Sequence, residues 1–162
     1  EIVKRFQKED AIIIYVPDHG EECYEENRGF ICRNHSANID WKLAHYEFEI
    51  PFWIYCSKKY IQKHRAIYRQ IRASKDKRMM TDALPHLLLY LAGIETPTYK
   101  EENNILSPKY NEMRPRILKN SADYDKLRDE YLKTQAKQEE KKQDKKKDKK
   151  QGKKQTKKGV RK

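Results

Sequence analysis

The stretch AIIIYVPDHGEE, residues 11–22, decides how the rest of the chain is read. Ala11 to Val16 is an unbroken apolar run, and such runs, rather than alternation, mark strands buried on both faces of a largely parallel sheet. Pro17 ends it. Asp18, His19 and Gly20 then stand side by side, with Glu21 and Glu22 directly behind. In open α/β sheets ligands gather at the carboxyl ends of the strands, where this acid–histidine pair falls. A carboxylate and an imidazole are zinc ligands, but neighbouring residues reach one metal only where the backbone leaves regular strand geometry. The position after Pro17 meets that condition, and Gly20 lets the backbone turn. Glu21 and Glu22 read as solvated loop acids that stand close enough to support a metal ligand.

Working outward, Pro51 to Tyr55 (PFWIY) is a second apolar run, with its proline where a strand tolerates one. Between the two runs, residues 20–46 are polar and show no sustained period, which predicts a long irregular segment. Ser57 is placed to cap a helix carrying Tyr60, Ile61, His64, Ile67, Tyr68 and Ile71 at helical spacing. A second helix is expected from Thr81 or Asp82, burying Leu84, Leu87, Leu88 and Leu91 and ending at Gly93. RPRIL (114–118) reads as a short edge strand, and Tyr124, Leu127 and Tyr131 as a last apolar stripe. Strands alternating with helices give an α/β fold with a mainly parallel sheet.

The chain has 162 residues and a formal net charge of +12. The charge is not spread evenly. From Leu132 to Lys162 there are 15 Lys and Arg against 4 Asp and Glu, whereas residues 1–131 hold 22 against 21. A near-neutral body (1–131) therefore carries a Lys-rich tail (132–162), expected to be helical at first and then disordered. The basic pI says little about what the body binds. The tail alone would bind polyanions without specificity, and no aromatic residues are interleaved with its lysines to stack on bases, so no specific nucleic acid is implied. Anionic lipid is the other partner such a tail suits. No apolar run is long enough to span a bilayer and no signal peptide opens the chain. Ile2, Val3 and Phe6 sit at helical spacing, as if the chain opened inside a helix, which predicts a piece of something longer. Cys23, Cys32 and Cys56 match no zinc-ribbon spacing; Cys23 and Cys32 are placed to pair in an oxidising compartment, or all three are free thiols.

The ordered series AIIIYVPDHGEECYE, NH at 34–35, YEFEIPFWIYCSKKY, MMTDALPHLLLYLAGIE and SPKYNEMRPRIL resembles the C-terminal half of the catalytic domain of bacterial phosphoethanolamine transferases, in the sulfatase and alkaline phosphatase superfamily. The resemblance covers roughly residues 5–131. It implies part of an alkaline-phosphatase-like sandwich, with Asp18 and His19 as ligands of one or two zinc ions. It also implies His35 as a catalytic residue that helps hold the substrate phosphate or a second metal. The implied reaction transfers phosphoethanolamine from phosphatidylethanolamine to a lipid A, core-sugar or other envelope acceptor. The implied location is a periplasmic catalytic domain of an inner-membrane parent. Thr81, Thr96, Thr98, Thr134 and Thr156 all lack the context of the family's nucleophilic threonine, so the chain is expected to hold half an active site. The alternatives are a sulfatase or phosphodiesterase of the same superfamily and a polyanion-binding protein acting through the tail. His64 and His86 read as packing residues; His45 has no assigned role.

Overall fold

The computed structural model describes residues 1–25, 31–32, 39–119 and 121–159. Among the described residues six α-helices and six short strands make a mixed α/β arrangement. Helix α1 is Ile2–Phe6, and strand β1, Ile12–Tyr15, follows it. Strands β2 (Glu22–Cys23) and β3 (Ile31–Cys32) form a small hairpin, and helix α2 spans Trp41–Phe48. Strand β4, Trp53–Cys56, leads into helices α3 (Lys58–Lys63) and α4 (Arg65–Ala73). Helix α5 is Leu84–Ala92, strands β5 (Ile117–Leu118) and β6 (Ala122–Asp123) form a second hairpin, and helix α6 runs over Tyr124–Gly159.

The two apolar runs are neighbours, as their composition predicts, but they pair antiparallel. Ile12 faces Cys56, and Tyr15 faces Trp53. All three strand pairs among the described residues are antiparallel, so the expected mainly parallel sheet is not present there. Nor are β1 and β4 fully buried. Their middle residues are half-buried, while Tyr15 and Trp53 are exposed and stack on each other at 5.3 Å between ring centroids. This is a cross-strand aromatic pair, worth a few tenths to about 1 kcal/mol.

Ser57 anchors the end of β4. Its buried hydroxyl donates to the Glu9 carbonyl at 2.6 Å and accepts the Tyr60 N–H at 3.0 Å, capping α3 as its residue type predicts. The expected single helix over Tyr60–Ile71 is broken at His64, whose backbone is not helical (φ −117°, ψ 47°). Helix α5 is preceded by a 3₁₀ turn at Thr81–Ala83 and ends at Gly93, which adopts the left-handed conformation (φ 65°) that favours glycine at a helix end. Leu87 is fully buried there, but Leu88 is exposed.

The irregular segment expected over 20–46 contains structure. Asp40 accepts the Leu43 N–H at 2.8 Å and so caps α2, which buries Leu43, Ala44 and Glu47. Two cores result. One joins α2, β5 and the start of α6 through Ile39, Leu43, Ala44, Leu118 and Tyr124. The other holds Ala83, Leu87, Ile105, Leu106 and Tyr110, with Ile14, Ile54 and Ile71 packed on it. Beyond the body α6 continues unbroken to Gly159, past Leu132 where the Lys-rich tail begins.

Candidate metal and substrate site

The site grows from the end of β1. Pro17 stops the strand, and the Asp18 Oδ1 accepts the His19 backbone N–H at 3.1 Å, folding the acid back over the turn. The His19 Nδ1 lies 2.7 Å from the Gly20 carbonyl oxygen. A carbonyl only accepts, so Nδ1 carries the proton and donates. Nε2 is thereby directed to the Asp18 Oδ2, 3.4 Å away. Two ligands each about 2.0–2.2 Å from a tetrahedral zinc ion stand about 3.4 Å apart, so this nitrogen and this oxygen have the separation of one tetrahedral edge. The backbone carbonyl orienting the imidazole is the kind of outer contact that fixes a ligating histidine.

Gly20 is required here for a reason other than the one its sequence context suggests. Its φ is not positive. Instead its N–H donates to the Glu47 carbonyl at 2.8 Å, and a Cβ would overlap the Tyr46 carbonyl oxygen. The glycine lets the loop lie directly against the end of α2.

Asp18 stands at the rim of a cleft of about 880 Å³. Its walls come from both cores, with Phe48, Phe52 and Ile54 among the apolar residues and Lys75, Lys77 and Arg116 among the cations. Lys77 is held in place, donating to the Ile105 carbonyl at 3.0 Å with its ammonium 5.6 Å from the Tyr110 ring centre. On the α6 side, Asp125 takes the Arg116 guanidinium at 2.6 Å and also binds Arg78. Tyr124 donates its hydroxyl to Glu49, and Arg116 lies 4.2 Å over its ring. Burial, then the hydrogen bond to Glu49, pushes the Tyr124 phenol up to about 12.

Of the sequence-predicted residues, the structure brings Asp18 and His19 together and leaves Asp18 largely exposed, His19 less so. His35 lies outside the described residues. Among the described residues no group of three or more His, Cys, Asp or Glu side chains gathers into a metal-binding cluster. His45 pairs with Glu49 at 2.9 Å and stacks on Trp41, on the outer side of α2. His64 faces Asp10 at 3.5 Å, and His86 accepts the Lys100 N–H at 3.1 Å. Glu21 is exposed, as expected, but Glu22 is fully buried, and so is Glu47 on the helix packed against it. Sequence reasoning missed both. No local signal marks either one, since both are buried by α2 packing against β2. The Cys23 thiol is free and exposed, and Cys23 stands opposite Ile31 in its hairpin.

No family model and no curated protein matches the chain. Two solved structures do. The C-terminal periplasmic domain of EcEptC from Escherichia coli is similar with a TM-score of 0.59 and 25% identity over 76% of this chain. The same domain in complex with Zn is similar with a TM-score of 0.58 and 25% identity. The chain spans 35% of the length of each.

Proposed function

We propose that this chain is the C-terminal part of a phosphoethanolamine transferase catalytic domain and supplies two ligands of its metal centre, Asp18 and His19. The observation that carries the reading is the 3.4 Å separation of His19 Nε2 and Asp18 Oδ2, set by the Gly20 carbonyl, in a fold similar to a domain solved with Zn. The donor set is one carboxylate and one imidazole, and both suit zinc. Bound zinc would supply Lewis-acid activation of a hydroxyl nucleophile and neutralise charge on the transferring phosphoryl group. In this chain Asp18 and His19 hold and orient. Lys75 and Lys77 line the cleft beside the acids Asp18, Glu47 and Glu49, with Arg116 held by Asp125, and the two ammonium groups suit the phosphate of a headgroup. His35 is assigned to the substrate phosphate. The remaining ligands and the nucleophilic threonine belong to the larger domain, of which this chain matches about a third.

On this reading the donor is phosphatidylethanolamine, the acceptor a lipid A or glycan group of the envelope, and the parent an inner-membrane protein with its catalytic domain in the periplasm. Among the described residues no helix is long and apolar enough to cross a membrane.

Calorimetric zinc titration tests the ligand assignment. Two ligands without the rest of a site hold zinc more weakly than about a micromolar Kd, and Asp18→Ala or His19→Ala should weaken that binding further. In the parent protein the double substitution should abolish phosphoethanolamine transfer while leaving the fold intact. Normal transfer by the folded double variant would overturn the assignment.

A further inference from the structure

Helix α6 carries a four-residue repeat. Every fourth position from Lys133 to Lys157 is lysine, and so is every fourth position from Lys142 to Lys158. The helix turns once in about 3.6 residues, so each four-residue step advances about 40° around the axis. The positions of the two rows therefore step around the helical backbone instead of following one line along it. Between Lys137 and Gly159 the positions outside the two rows are Lys147 and Gln, Glu, Asp, Thr and Gly, with no apolar or aromatic residue. Such a helix has no face to insert into a membrane interior and none to seat in an apolar groove. It also opposes itself, because like charges four apart on a helix repel. A counter-surface rich in fixed negative charge removes that opposition.

We propose that α6 beyond Leu132 is a peripheral tether that docks on an anionic phospholipid surface, and that its helix is stabilised by docking. The choice of lipid over nucleic acid rests on the envelope location in the proposed function. It is supported by the absence of aromatic stacking residues and of any arginine between Leu132 and Val160. The tether is continuous with the body. Tyr131 stacks on Trp41 at 5.6 Å between ring centres, and Tyr124, at the root of the same helix, lines the cleft that Asp18 borders. The segment from Leu132 to Gly159 reaches about 42 Å. A docked tail thus holds the cleft close to the lipid from which the proposed donor comes.

The test uses the full chain with vesicles of phosphatidylcholine alone or mixed with phosphatidylglycerol, read by co-sedimentation and far-ultraviolet circular dichroism. Binding is expected only to the phosphatidylglycerol vesicles, with a gain in helical signal, and full release at about 0.5 M salt, where charge screening is short-ranged. Replacing Lys145, Lys146, Lys149, Lys150, Lys153 and Lys154 with Gln should weaken binding at least about tenfold. Equal binding to neutral vesicles, unchanged binding by the six-fold variant, or no gain in helix would overturn the proposal. So would tighter binding to duplex DNA than to the anionic vesicles at equal salt. None of these readouts involves zinc, so their failure leaves the metal assignment standing, and failure of the zinc titration leaves the tether standing.

Discussion

The N–H of Gly20 donates to the Glu47 carbonyl at 2.8 Å, so a backbone hydrogen bond fastens the loop that carries Asp18 and His19 to the end of α2. That contact leaves no room for a side chain. Gly20→Ala would press a methyl group against the Tyr46 carbonyl oxygen, which belongs to helix backbone and cannot swing away. The substitution should destabilise the body by about 1–3 kcal/mol and weaken zinc binding with it. Denaturant unfolding checks the first effect; a change of only a few tenths would show that the loop relaxes freely.

Ser57 joins the start of β1 to the start of α3 through one buried hydroxyl. Ser57→Ala removes the helix cap and leaves the Glu9 carbonyl without this donor. The expected loss is about 1–2 kcal/mol of unfolding free energy. Ser57→Thr, which keeps the hydroxyl, should recover part of it.

Tyr124 makes stability fall at alkaline pH. Its phenol is raised from 10.0 to about 12, so the fold favours the protonated form. Its contribution is fully present below pH 10 and is lost as pH rises toward 12. Unfolding free energy measured across that window should decline, and Tyr124→Phe should remove that part of the decline. The same variant should lose the ionisation near pH 12 in an absorbance titration. An unchanged alkaline slope would count against the Tyr124–Glu49 contact.

The tail is expected to add little to the body in the absence of a surface. Leu132 is exposed, and the residues that follow offer too little apolar area to offset an ordering cost of about 1–2 kcal/mol per residue. Deleting residues 133–162 should leave the thermal midpoint nearly unchanged. Trp41→Ala, by contrast, removes the ring that stacks on His45 and Tyr131 and contacts Tyr124, and should cost about 2–4 kcal/mol. A large drop on deleting the tail would make it part of the fold.

Composition located both main strands, the Ser57 cap, the Gly93 stop and the acid–histidine turn, because each rests on local chemistry. It gave the wrong strand direction. An apolar run reports burial, whereas direction depends on how the intervening chain returns, and here that chain includes α2. Helix α2 itself was hidden because eight residues make barely two turns, too few to show a period; the Asp40 cap was its one local sign. The burial of Glu22 is equally non-local, since it depends on α2 packing over the β2–β3 hairpin. The pairing of Asp18 with His19 was legible because the two are adjacent. The cleft beside them was not, since its walls come from residues up to about a hundred positions apart.

The two cores meet across that cleft, and ion pairs bridge them beside the Gly20–Glu47 backbone bond. Arg78, beside the core that holds Tyr110, reaches Asp125 on α6, and Asp125 also takes Arg116. The Tyr110 hydroxyl donates to the Arg78 carbonyl at 2.7 Å, linking that tie back into its own core. How cooperatively the body melts therefore depends in part on a few ion pairs near its surface. Salt that leaves each core intact can loosen their coupling, and the cleft is the seam along which they would separate.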